Sequence, residues 1–360
     1  MNIKSAALAL PFALIALSYA ALAGHAGETI PFRPMVVDLH VDVPYQVHFK
    51  NRDPILREGE ATQKNLVSGG YGGIVLPIYM HPTTKDGPRL EDASAILSSI
   101  ETIVSKSSVF TATNAALAEP GKISVFLSIE GAGAFAKDIS AIDSFIARGV
   151  RLIGPVHSKD NDLGSSATGK NASSIGLTEL GKAFCRRVYE HGAVIDISHL
   201  SDKGVADLLP IAEEFGAPLV ATHSNARALA DHPRNLSDDQ LRLVAKTGGV
   251  AGLNFHSPYV SAKEDPTIDD IVAHALHMIR IAGIDSVAIG SDYDGGIKPV
   301  VGLEDAAALP RLALKLRQKG LSDEQILKIF SLNALRVLAY RRPGTGFPAQ
   351  AGTSAEAPAH

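Results

Sequence analysis

Six acidic or imidazole residues stand just past short apolar, β-branched runs: His40 and Asp42, Glu130, His199, His223 and Asp292. The runs are Pro34-Met-Val-Val-Asp-Leu, Ser124-Val-Phe-Leu-Ser-Ile, Ala193-Val-Ile-Asp-Ile-Ser, Pro218-Leu-Val-Ala-Thr and Ser286-Val-Ala-Ile-Gly-Ser. Parallel strands of an α/β barrel deliver their last residues to one shared rim, so groups far apart in the chain converge there. Imidazoles and carboxylates meeting at one point make a metal site, and the chemistry expected of it on such a rim is hydrolysis.

The elements that would position these groups alternate between strand and helix signals from residue 34 to 341. Strands are expected at 34–39, 73–79, 123–129, 151–156, 193–197, 218–222, 249–254 and 286–290. Helical periodicity fills 90–118, 138–148, 178–191, 201–214, 237–247, 268–282 and 304–318. Eight strands alternating with helices close a (β/α)8 TIM-type barrel. Ser201-Asp202 and Ser237-Asp238-Asp239 supply helix caps. Two more helices, about 322–329 and 331–340, are expected to cover the barrel's flank.

Each residue carries a different weight. In a strand, residues i and i+2 face one side, so His40 and Asp42 can reach one ion; the H-x-D pair alone is common. Pro44 soon after is expected to end that strand. Glu130 leaves an apolar strand directly into small residues, where a buried carboxylate is costly without a cation. It suits a two-oxygen ligand between two ions; the plainer role is an N-cap on the next element. His199 and His223 lie one βα unit apart, at equivalent strand ends. His157, closing Arg151-Leu-Ile-Gly-Pro-Val, occupies the same place on strand four. It is either a ligand or a donor to developing charge. Asp292 precedes Gly295-Gly296, which lets the loop turn sharply, and Asp294 fits better as support for that loop.

The first 26 residues stand apart. One early charge, Lys4, precedes an apolar stretch from Ala6 to Ala23 and small residues in Ala21-Leu-Ala23 and Gly24-His-Ala26. That is the build of a secretory signal peptide cleaved after Ala23 or Ala26, and it predicts a periplasmic or secreted protein with no stable membrane insertion. The single cysteine, Cys185, allows no intramolecular disulfide. The chain is 46% hydrophobic with a net charge of −4, without basic stripe, heptads or repeats, so nucleic-acid and coiled-coil readings are weak. Residues 342–360, small and Pro-rich, read as a disordered tail.

Six motifs in order, Asp38-Leu-His-Val-Asp-Val-Pro, Ile129-Glu-Gly, Asp196-Ile-Ser-His, Thr222-His-Ser, His232-Pro-Arg-Asn and Gly290-Ser-Asp-Tyr-Asp-Gly, resemble the membrane dipeptidase (renal dipeptidase) family of zinc metallopeptidases. The resemblance runs over roughly residues 36 to 340 and implies a (β/α)8 barrel with two zinc ions. By that resemblance His40 and Asp42 bind one zinc, His199 and His223 the other, and Glu130 bridges them. It further implies that His157 polarises the substrate, Asp292 handles the proton, Arg234 receives the substrate carboxylate and Tyr259 contacts substrate. Without the resemblance Arg234 reads as an ordinary surface arginine beside a helix start. The substrates implied are dipeptides, including those with a C-terminal D-residue, and the family also suggests a homodimer. Two departures stand out: Glu130-Gly131-Ala132 where family members often have Glu-Gly-Gly, and Pro77 in the second strand without the family's usual Phe-Trp pair.

The same ligand types serve amidohydrolase-type lactonases, deaminases and phosphotriesterases. Those sites commonly use H-x-H on strand one and often a carboxylated lysine as bridge, whereas this chain offers H-x-D and a glutamate. An exported protein that binds zinc or peptides without turnover is a second alternative, and it would need neither His157 nor Asp292.

Overall fold

A computed structural model describes residues 32–342, apart from residue 54 and residues 82–86, 114–116 and 118–120. The expected signal peptide and most of the expected tail lie outside the described residues. Among the described residues, nine parallel strands follow in chain order: β1 (Val36–Asp38), β2 (Tyr71–Tyr79), β3 (Phe110–Ala112), β4 (Ile123–Glu130), β5 (Val150–Gly154), β6 (Val194–Ile195), β7 (Val220–Ala221), β8 (Val250–Leu253) and β9 (Val287–Ile289). The sheet order is β6-β5-β4-β2-β1-β9-β8-β7, and a parallel bridge from Asp196 to Val220 joins the two ends. Eight strands surrounded by helices therefore form the expected (β/α)8 barrel.

Most barrel strands are shorter than the apolar runs that predict them. The ninth strand, β3, was not expected. Helical periodicity predicts a helix to residue 118, but the helix Leu90–Lys106 stops where Ser107 Oγ accepts hydrogen bonds from the amides of Val109 and Phe110. That local alternative ends the helix, and β3 then pairs with the first half of β4, before β5 begins to pair at Leu127. Ser201 and Ser237 cap the helices Asp202–Phe215 and Asp238–Lys246 as expected. Pro44, expected to end a strand, opens the unexpected helix Val43–Lys50, where its fixed φ suits the first turn.

The C-terminal helices depart from expectation in position. One cluster unites Val37 and Leu39 with Val75, Phe126, Leu152, Val194, Val220, Val250 and Ala288, drawn from each of the other seven barrel strands. The same cluster contains Ala334, Leu335, Val337 and Leu338. The helix Asn333–Leu338 thus plugs the N-terminal mouth of the barrel instead of covering its flank. The apolar interior leaves that mouth as surface to be buried, and each large side chain so placed stabilises by about 1.5–3 kcal/mol. Polar groups fix the plug. Arg151 donates to the carbonyls of Gly192 and Tyr340, Asn333 to those of Ile284 and Val287, and Arg336 to those of Gly248 and Asp285. Among the described residues, no helix is long and apolar enough to cross a membrane.

Candidate metal centre

At the opposite end, the strands bring together every metal-ligating residue that the sequence singles out. Glu130 is the last residue of β4, with Gly131 rather than Glu130 preceding the next helical turn. Its Oε1 lies 2.9 Å from His199 Nε2, 3.5 Å from His223 Nε2, 3.6 Å from His40 Nε2 and 3.7 Å from His157 Nε2. His40 Nε2 is 3.3 Å from Asp42 Oδ2, and the Nε2 atoms of His199 and His223 are 3.1 Å apart. The two trios that the resemblance implies, Glu130 with His40 and Asp42 and Glu130 with His199 and His223, are compatible with these distances. Ligand atoms of Asp292 and His157 fall within 4.8 Å of members of this cluster.

These spacings suit metal ions. Zinc–ligand bonds of about 2.0–2.2 Å place neighbouring tetrahedral ligands roughly 3.4 Å apart, close to the separations within both trios. Electrostatics agree. Burial, with Asp42 and Asp292 nearby and His40 opposing, pushes the Glu130 carboxyl up to about 8. Burial and Asp42 push Asp292 up to about 7. Burial opposes a charge on His40, yet Glu130 and Asp42 outweigh it and raise the imidazole to about 10. His199 and His223 are driven well below the usual imidazole range by burial, Arg234 and the other histidines. A cation relieves this crowding of carboxylates and is ligated by neutral imidazoles. The buried His40 Nε2 has no hydrogen-bond partner among the described residues. The donor set fits a divalent ion, zinc among them.

His157, Asp292 and Arg234 stand at the edge of the cluster, each close to its ligand atoms. His157 packs against the rings of Tyr79 and His199, with centroids 4.6 and 4.3 Å away, and its Nδ1 is 2.8 Å from Ser158 Oγ. Burial and Arg234 push its imidazole down to about 3, so it is neutral. Gly131 has φ +81°, and a Cβ there would come within 3.1 Å of the His157 Cβ, whereas Ala132 is accommodated in the core. Asp292 has φ +67° and accepts a 2.9 Å hydrogen bond from Asn254 Nδ2. A side chain on Gly295 would collide with the carboxylates of both Asp292 and Asp42. Asp294 turns away: its carboxylate accepts from Arg52 at 2.5 Å and from the amides of Glu60 and Ala61, holding the loop as expected.

Arg234 is not the surface arginine that its local sequence suggests. It is 3% exposed, its Nη2 is 3.2 Å from His199 Nε2, and its Nε and Nη1 have no partner among the described residues. Tyr259 lies beside it with the ring centroid 5.8 Å from the guanidinium carbon, between the rings of His232 and His256. Tyr79, Asn254 and His256 escaped the sequence reading. Tyr79 ends β2 in register with Glu130, a position that strand alignment alone reveals. Asn254 follows the Leu253 end of β8 and was the one strand-end signal available there.

The profile of the family described as membrane dipeptidase (Peptidase family M19) matches residues 28–341. The chain belongs to the membrane dipeptidase family. An uncharacterized protein in the pqqA 5′ region of Klebsiella pneumoniae is 41% identical over 218 residues, covering 58% of this chain and 79% of its own length. Dipeptidase tcpJ of Claviceps purpurea (strain 20.1) is 33% identical over 220 residues, covering 61% of this chain and about half, 51%, of that enzyme. Among solved structures, a metallo peptidase from Rhodobacter sphaeroides liganded with a phosphinate mimic of the dipeptide L-Ala-D-Ala is 27% identical. It superposes with a TM-score of 0.76, covering 85% of this chain and 99% of that one. Membership makes this chain a metallo-dipeptidase-type hydrolase and removes the non-catalytic alternative.

Proposed function

We propose that this membrane dipeptidase homologue is an exported dipeptidase whose rim holds two zinc ions, bridged by Glu130. The observation that carries the reading is the position of Glu130 Oε1 between the Nε2 atoms of His40, His199 and His223. In the reading, His40 and Asp42 serve one ion and His199 and His223 the other. Bound there, the zinc ions supply Lewis acidity and lower the pKa of water toward neutrality.

The remaining residues position and protonate the substrate. Arg234, whose Nε and Nη1 have no partner among the described residues, receives the free α-carboxylate by a charge-assisted contact, which favours short peptides. Tyr259 flanks that carboxylate. Neutral His157 donates to the carbonyl oxygen as charge develops on it. Asp292, held by Asn254, takes the proton from the attacking water and passes it to the leaving amine. A C-terminal D-residue is accepted; the dipeptide mimic bound to the Rhodobacter relative ends in one.

A zinc-loaded sample assayed against Gly-D-Ala, an L-L dipeptide, a lactone and a phosphotriester tests the substrate class. Turnover confined to the dipeptides supports the reading, and preferential turnover of the lactone or phosphotriester overturns it. Export rests on the sequence of residues 1–26. N-terminal sequencing of the native protein should find a start near Gly24 or Gly27, and an intact Met1 on a membrane-bound enzyme would contradict it. A homodimer is the expected assembly, and light scattering on the mature protein checks it.

A further inference from the structure

The barrel closes between its two shortest strands, which lead to His199 and His223. The strands β6 and β7 have two residues each, and the bridge from Asp196 to Val220 joins them. Side chains reinforce that seam. Asp196 Oδ1 accepts from the Ser198 amide at 3.0 Å, the Ser198 hydroxyl at 2.6 Å and the Thr222 amide at 3.0 Å. Asp196 Oδ2 is 2.5 Å from Thr222 Oγ1. The Thr222 oxygen also lies 2.8 Å from His223 Nδ1 and 3.4 Å from His40 Nδ1. All five side chains are buried.

We propose that Thr222, held by Asp196, is a positioning residue that accepts from the Nδ1–H of both His223 and His40, so that Nε2 of each ring is the atom turned to the metal centre. The inference rests on the reading that these two histidines are metal ligands. A count of protons supports it. A carboxylate only accepts hydrogen bonds, so the single Thr222 hydroxyl proton points to Asp196 Oδ2. The Ser198 hydroxyl proton goes to Oδ1 in the same way, and Ser198 Oγ accepts from the His223 amide at 3.2 Å. The 3.0 Å contact between the Ser198 and Thr222 oxygens then carries no proton. Two lone pairs remain on Thr222 Oγ1, and each faces an imidazole Nδ1 that must donate to it.

The consequence is a link between the two ions. His40 and His223 belong to different trios, yet their rings lie 3.9 Å apart by centroid and share one hydroxyl. Removing that hydroxyl should therefore weaken both binding events, whereas a defect local to one imidazole should weaken one. Outer partners of this kind change metal affinity by about 10–100-fold.

The test uses metal-free full-length mature protein. In protein with ¹⁵N-labelled histidine, long-range ¹H–¹⁵N correlation should place the His223 proton on Nδ1. Asp196→Asn keeps every shape but presents an amide N–H₂ where Oδ2 stood, because the three donors at Oδ1 require the amide oxygen there. That amide donates to Thr222 Oγ1 and turns the Thr222 proton toward Ser198 Oγ, His223 or His40, so one of the lone pairs that hold the imidazoles is lost and zinc affinity should fall. Zinc titration against a chromophoric chelator should show Thr222→Val weakened about 10–100-fold for both equivalents, with Thr222→Ser restoring wild-type affinity. A wild-type His223 protonated on Nε2, unchanged zinc affinity in Asp196→Asn, or a Thr222→Val loss confined to one equivalent would overturn the proposal. Uptake of fewer than two equivalents by wild type would overturn the dinuclear reading separately, with the His223 tautomer still deciding the role of Thr222.

Discussion

At the C-terminal ends of its strands the barrel gathers buried carboxylates and imidazoles, while at the N-terminal ends the same strands close over Ala334, Leu335, Val337 and Leu338. The rim crowds Asp42, Glu130 and Asp292 until burial and mutual repulsion raise the carboxyls of Glu130 and Asp292. The floor holds a different balance: its polar groups donate to backbone carbonyls and its apolar groups fill one cluster, while burial and Arg341 lower the Arg151 guanidinium to about 9. Crowded carboxylates and imidazoles at one end and apolar packing at the other separate function from stability within one fold. Substitutions at the two ends should therefore fail in different assays.

The largest effect is expected at Glu130. Glu130→Gln removes the shared charge, so zinc content should fall and dipeptide hydrolysis should drop to near background, read by metal analysis beside kinetics. Retention of both metals and of turnover would end the bridging role. Next comes Asp292→Asn, which keeps the shape that Asn254 holds. Steady-state kinetics should show kcat down by about 10²–10⁴-fold, the usual scale for a lost proton carrier, with both metals kept. If metal and activity disappear together, Asp292 is a ligand and the proton assignment is wrong.

Arg234→Ala should cost less and differently. Loss of a buried charge-assisted contact is worth about 2–4 kcal/mol, so KM for dipeptides should rise by roughly 30–1000-fold. A further fall in kcat follows if the contact aligns the scissile bond. Unchanged kinetics would place the carboxylate contact elsewhere. The smallest catalytic effect belongs to the floor. Leu338→Ala should destabilise by about 2–5 kcal/mol in denaturant unfolding while kcat at a permissive temperature stays within a few-fold of wild type. A kcat loss matching that of Asp292→Asn would remove the separation between the two ends.

The same contrast governs what the sequence reveals. Rim residues announce themselves because each follows its own apolar run, so His40, Glu130, His199 and Asp292 can be found one strand at a time. The eight barrel strands and the caps at Ser201 and Ser237 are legible for the same local reason. The floor is not. Whether the helix Asn333–Leu338 covers a flank or plugs a mouth depends on which strands surround it, and its own periodicity is identical in both cases. β3 hid behind helical periodicity until Ser107 turned the chain. Supporting contacts were equally hidden. Asp294 with Arg52, and Thr222 with Asp196 and His40, join residues whose proximity exists only after the barrel closes. Arg234 shows the converse: a local reading makes it a surface residue, and tertiary packing buries it beside His199.

The central claim is that the rim is a dinuclear site built around Glu130, and anomalous diffraction at the zinc edge from crystals of zinc-loaded mature protein tests it most directly. Two peaks about 3.5–4 Å apart are expected, one beside His40 and Asp42, the other beside His199 and His223, each contacting a different Glu130 oxygen. A single peak, or two peaks of which Glu130 touches only one, would contradict it.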